Sequence, residues 1–189
     1  MSEQSEAVYR PRPGWPKAIG ILSIVFGVLS IIFGVGGVAL IPVWGGMLKS
    51  QLNGAALPPT MSLSPFLIGI TVFGAFVNLL LVVAGFALIA RKPSGRTMHL
   101  AYALLGVLSA FAAIFYQIQS QDALRAWAAD YPDNAFVQQM AASSQGTGWI
   151  IGLVVGLGLS LAWPVFCIIW FGMVKRDPDS MLGTDDEPI

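Results

Sequence analysis

Charge is what this chain lacks where it matters most. Residues 18–48, 65–90, 98–116 and 149–174 contain no Asp, Glu, Lys or Arg. Across the whole chain only 11% of residues are charged, against roughly 25% in a soluble domain. A proton-coupled pump or antiporter needs a carboxylate inside the membrane, so these empty stretches argue against that class. They leave open a passive pore lined by hydroxyls and carbonyls.

Other absences narrow the reading further. Cys167 is the sole cysteine, which excludes an intramolecular disulfide and thiol-pair chemistry. His99 is the sole histidine, which excludes a bis-histidine haem site within one subunit. Formal net charge is zero and the pI is about 6.5, so nothing favours nucleic acid as a partner. No metal-ligand cluster, P-loop or nucleophile elbow is present, and no cofactor is expected. Gly34-Val35-Gly36-Gly37-Val38-Ala39 fits G-x-G-x-x-A formally, but a dinucleotide fingerprint requires a preceding strand and an aqueous βαβ context. Thr71-Val72-Phe73-Gly74 echoes a potassium filter in a segment without the shape of a pore loop.

What is there is apolar. Hydrophobic residues make up 56% of the chain and mean hydropathy is +0.72. Four runs reach the ~20 apolar residues that cross a ~30 Å hydrocarbon layer: about 18–48, 65–90, 98–116 and 149–174. Uninterrupted runs of this length satisfy their backbone only as helices. The predicted fold is therefore all-α, a membrane protein with four transmembrane helices in an antiparallel bundle spanning residues 16–176. Pro16 suits a first helical turn, and Ser64-Pro65 supplies a cap followed by proline. Pro42 and Pro164 should bend their spans, with Ser160 helping to satisfy the backbone loosened by Pro164. Trp15, Trp44 and Trp149 flank spans at headgroup depth. The first apolar core is about twice the usual 7–15 residues of a signal peptide, so it is expected to remain as a span.

Orientation follows from the basic residues. Arg10, Arg12, Lys17, Arg91, Lys92, Arg96, Lys175 and Arg176 fall on one side, against Lys49 and Arg125 on the other. The positive-inside rule then places both termini and the 91–97 turn in the cytoplasm of a plasma membrane, the bacterial inner membrane on this reading. That turn's three basic residues are what topology alone demands. The tails, 1–15 and 177–189, are polar and rich in proline and acid, and are expected to be disordered.

Two unequal loops lie on the opposite side. Residues 49–64 read as a polar, partly extended connection. Residues 117–148 predict a helical hairpin: an extension of the third span through Asp130, a break at Tyr131-Pro132-Asp133, and a short helix capped by Asn134. Leu124, Trp127, Phe136, Val137 and Met140 give the hairpin an apolar side. It either lies on the bundle end and headgroups or forms a surface for a partner protein.

Small residues are patterned within the spans. Gly20, Ser23, Gly27, Ser30, Gly34 and Gly37 are spaced alternately three and four apart, which aligns them on one helical stripe. Gly148, Gly152, Gly156 and Ser160 recur every fourth residue, and Ala103, Gly106, Ala110 and Ala113 repeat the alternating pattern. Such stripes let helices approach closely, inside the bundle or against another subunit. Asn78 is the most polar residue at mid-membrane depth and is read as interhelical glue. His99 is expected at the interface, touching headgroups, and Cys167 as a small buried filler.

Lys17-Ala18-Ile19-Gly20-Ile21 with its glycine-spaced continuation, and Gly85-Phe86-Ala87-Leu88 before a basic turn, resemble the membrane-spanning four-domain family of B-cell-antigen-like tetraspans. The similarity covers the first three spans; the outer-loop cysteines of that family are missing, so no functional residue transfers. The chain is also similar to small four-span proteins of bacteria. The resemblance implies cytoplasmic termini and a role in assembly. The expected function is that of a non-enzymatic structural, scaffold or accessory subunit, packing with itself or another membrane protein. The alternative is a passive channel or transporter of small neutral solutes.

Overall fold

A computed structural model describes residues 13–175. Six α-helices follow in order: α1 (Trp15–Ala39), α2 (Ile41–Lys49), α3 (Pro65–Ile89), α4 (Ser94–Ala129), α5 (Ala135–Gln145) and α6 (Thr147–Ile169). A 3₁₀ turn covers Pro59–Met61, and the last turn of the α6 rod, Trp170–Val174, is π-helical. Four rods are long and apolar enough to cross a bilayer: Trp15–Lys49, Pro65–Ile89, Ser94–Ala129 and Thr147–Val174. The chain is an all-α, four-span integral membrane protein. The parts of the expected tails at 1–12 and 176–189 lie outside the described residues.

Local chemistry explains the breaks. The first rod is interrupted at Leu40, and Pro42 sits in the first turn of α2, where a missing N–H costs nothing. The Ser64 hydroxyl accepts from the Leu67 amide at 3.1 Å to cap α3. Asn134 Oδ1 caps α5 by accepting from the Val137 amide. At the end of α3, Arg91 adopts φ of 55°. The Lys92 and Arg91 amides then donate back to the Ala87 and Leu88 carbonyls, the doubled closure of a Schellman turn. α4 has 36 residues and is ~54 Å long at 1.5 Å per residue. Its final third must therefore project beyond the hydrocarbon, as the expected extension past Gln117 requires.

The long helices form an antiparallel row, α1–α3–α4–α6. The row curls so that its ends, α1 and α6, meet through aromatic rings rather than close backbone approach. Phe26 and Trp163 lie 4.9 Å apart, and the stack continues through Phe166 and Trp170 to Trp15. These later contacts lie toward the end carrying the 90–94 turn, the basic end. There the main core gathers Ile19, Leu81, Leu88, Tyr102, Ala103, Cys167 and Phe171.

A second core lies at the loop end. Leu52, Leu124, Trp127, Ala128, Val137 and Ala141 are all buried together. The 49–64 connection is less extended than expected. Leu52 and Ala55 close a turn around Asn53 and Gly54, both at positive φ, the pattern Asn-Gly favours. The turn drives Leu52 under the hairpin, where it is fully buried.

Candidate functional site

The glycine stripe of α1 is divided by its surroundings. A Cβ on Gly20 would lie 2.7 Å from the Gly85 carbonyl, and one on Gly27 would lie 2.9 Å from that of Asn78. α1 and α3 thus touch backbone to backbone at the basic end. At Gly34, Gly36 and Gly37 nothing lies within 4 Å. The α6 glycines behave like this open half: Gly148, Gly152, Gly156 and Gly158 have no neighbour within 4 Å of an added Cβ. Between these regions, Gly106 accepts the ring of Pro164, whose Cγ would lie 3.1 Å from its Cβ.

Within the tight half sits a polar contact that the reading of His99 as a headgroup residue does not anticipate. His99 is completely buried. One ring nitrogen, Nδ1, lies 2.7 Å from the Gly95 carbonyl, and Nε2 lies 2.8 Å from Ser23 Oγ on α1. Phe171 covers the ring at 4.7 Å between centroids. The correction has a simple cause: Ser23 is fully buried against α4, and a buried hydroxyl beside a histidine satisfies it better than lipid headgroups can.

Above this contact the rods diverge and leave a cleft of about 610 Å³. Its walls include Ser30 and Phe26 of α1, Asn78 of α3, Tyr102, Gly106 and Ser109 of α4, and Ser160, Trp163 and Pro164 of α6. A cavity of about 200 Å³ between α1 and α3 shares Ser30, Asn78 and Ser109 with it. One of about 150 Å³ between α4 and α6, lined by Gln117, Gly152 and Gly156, shares Ala110, Ala113 and Ser160. Most of the small and polar residues singled out in the sequence therefore surround one branched space.

Some lining groups are satisfied by their own helix. Asn78 Nδ2 donates to the Gly74 carbonyl at 2.8 Å, and Ser160 Oγ donates to Gly156 at 2.7 Å. Tyr102 and Ser109 are lining residues that the reading of the sequence did not single out. Tyr102 and Ser109 share a face with Gly106 at four- and three-residue spacing, a signal the sequence did carry.

The apolar hairpin side is covered by the chain itself. Leu124 and Trp127 are each 6% exposed, and Phe136 and Met140 pack on the same cluster. Trp127 Nε1 donates to the Ala56 carbonyl at 2.9 Å, and Asn134 Nδ2 donates to that of Leu52. The first loop therefore occupies the face read from sequence as a bundle-end or partner surface.

Among the described residues, no cluster of three or more His, Cys, Asp or Glu could hold a metal ion. The arrangement offers close helix packing at one end and a neutral, lipid-facing cleft toward the other. No protein family, curated protein or solved structure matches the chain. The four-span architecture stands on the fold alone.

Proposed function

We propose that this protein acts without catalysis, as a structural or accessory subunit of a membrane assembly. The side of the bundle between α1 and α6 would receive a transmembrane helix of the same or another protein. One observation carries the reading: the close α1–α3 backbone approaches at Gly20 and Gly27, and the rings from Phe26 and Trp163 to Trp170 and Trp15 that join α1 to α6, gather toward the basic end. Toward the loop end, Gly34 and Gly37 on α1 and Gly152 and Gly156 on α6 keep open faces. Small-residue faces favour helix approach in lipid, where no hydrophobic force drives helices together. A helix lying across this mouth would roof the cleft without filling it. The absence of Asp, Glu, Lys and Arg from the spans supports a role other than chemistry. Cytoplasmic termini in a bacterial inner membrane belong to the same proposal and rest on the basic-residue asymmetry.

A photoreactive residue at Leu159, which is 74% exposed at the mouth, tests the reading in native membranes. Leu104 on α4 is equally lipid-facing but is not among the cleft's lining residues, and serves as the control. Protein adducts at Leu159 and lipid adducts alone at Leu104 are expected. Lipid adducts alone at both positions would remove the proposal.

A second reading, a conduit for small neutral solutes, is favoured by the string of cavities. Gln117 is common to the α4–α6 cavity and to a further one lined by Thr60, Ser120 and Gln121 near the loop end. Glycerol flux into liposomes containing only this chain is the result that reading requires.

A further inference from the structure

The cleft walls carry several polar atoms that have no hydrogen-bond partner among the described residues. Tyr102 is 7% exposed, lines the cleft, and its hydroxyl makes no hydrogen bond among the described residues. Its Cζ lies 3.8 Å from the position of a Cβ on Gly106, so the phenol tip stands at the cleft wall where α4 has no side chain. Ser30 and Ser109 line the same space, also without hydrogen-bond partners. Asn78 commits Nδ2 to the Gly74 carbonyl, which leaves Oδ1 unused. The indole N–H of Trp163, on the opposite wall, is buried without an acceptor. Buried polar groups in native proteins are nearly always satisfied; here the Trp163 N–H is buried without a partner, while Tyr102, Ser109, Asn78 and the exposed Ser30 border open space that a ligand's donors and acceptors can reach.

We propose that the central cleft binds an uncharged lipid whose hydroxyl-bearing head seats against Tyr102, Ser109 and Asn78. Its apolar part leaves between α1 and α6 into the bilayer. The volume of about 610 Å³ falls within the roughly 300–1,000 Å³ of ordinary ligand pockets. The lining contains no Asp, Glu, Lys or Arg, so a charged head would be desolvated without a counter-charge. An uncharged head with donors and acceptors matches hydroxyls that do both and an amide oxygen that accepts. Phe26, Trp163, Phe166 and Pro164 supply the apolar wall, and Phe26 and Leu159 at its edge face lipid. The buried Ser23–His99 contact under Phe171 lies toward the basic end of this space. This inference goes beyond the assembly proposal, because it requires only the single chain.

Dioleoylglycerol is the probe, titrated onto the purified full chain in detergent and read by native mass spectrometry. Dioleoylphosphatidylglycerol, with the same chains and an anionic head, is the comparison. Saturable one-to-one binding of the diacylglycerol is expected, at least tenfold tighter than that of the anionic lipid. Tyr102→Phe and Ser109→Ala should each weaken it several-fold and the pair at least tenfold. Each removes a single unpartnered hydroxyl, so thermal stability without lipid should stay level or rise, which a merely structural role would not produce. Ala113→Trp, which fills the cleft, should abolish binding and keeps the test independent of the hydroxyls. Absence of saturable diacylglycerol binding overturns the proposal. So does equal binding of both lipids, or binding that the three variants leave unchanged. If the variants alter only the assembly formed in membranes, the polar groups serve a partner helix and the lipid site is wrong.

Discussion

A single hydrogen decides how His99 is held. A carbonyl only accepts, so Nδ1 must carry hydrogen toward Gly95. Ser23 Oγ lies 2.8 Å from both His99 Nε2 and the Ile19 carbonyl, and its one hydrogen serves one of them. In the neutral ring Ser23 donates to Nε2; in the charged ring Nε2 donates to Ser23, which turns its hydrogen to Ile19. The heavy atoms need not move between the two. Because His99 is the only histidine, ¹⁵N-histidine labelling gives one pair of ring signals with no assignment step. The neutral form should show a protonated Nδ1 and a hydrogen-bonded Nε2 that shifts in Ser23→Ala. An Nε2-protonated neutral ring would contradict the geometry. Ser23→Ala also strands a buried nitrogen, at a cost of about 1–3 kcal/mol in unfolding measurements. His99 was not legible in the sequence because its partner lies 76 positions away and only the crossing of α1 and α4 brings them together.

At the scale of elements, the four spans were legible because lipid forbids charge and unpaired backbone, and both prohibitions leave marks in a linear sequence. Ser64 and Asn134 were legible for the same local reason: a cap needs only its own helix. The division of the α1 stripe was not legible. Gly20 and Gly37 look alike in sequence, yet one meets a carbonyl and the other meets nothing, because the closest α1–α3 backbone approaches are at Gly20 and Gly27. Asn53-Gly54 marks a turn in the sequence, but the burial of Leu52 beneath the hairpin depends on residues more than 70 positions away. The same contrast yields a prediction. A Cβ on Gly85 would stand 2.7 Å from the Gly20 carbonyl, whereas one on Gly152 meets nothing within 4 Å. Gly85→Ala must push α1 off α3, and overpacking of this kind costs about 1–3 kcal/mol. Gly152→Ala should be neutral or gain up to about 1 kcal/mol, as helical glycine is replaced by alanine. Thermal unfolding of the two variants side by side checks this; equal tolerance would mean that α1 and α3 do not meet where the structure joins them.

The whole molecule is asymmetric in both charge and packing, and the two asymmetries coincide. Lys17, Arg91, Lys92, Arg96 and Lys175 all sit at the start of α1, the α3–α4 turn or the end of α6, which the antiparallel row brings to one end. Lys49 and Arg125 sit at the other. The basic end is also the closed one: Arg96 Nε donates to the Phe171 carbonyl at 2.9 Å, where the π-helical turn frees it, and Lys175 lies over the Trp15 ring. The loop end is open beneath its own small core. Lys and Arg bias in short connections orients membrane proteins, so the closed end should face the cytoplasm and the cleft should lie nearer the opposite face. Ser94 and Gln51 are both exposed, one at each end, and Cys167 is buried. In a Cys167→Ala background, an impermeant maleimide on intact cells should label Gln51→Cys at once. Ser94→Cys should react only after permeabilisation. The reverse pattern would invert the protein, and the cleft would then draw its lipid from nearer the cytoplasmic face.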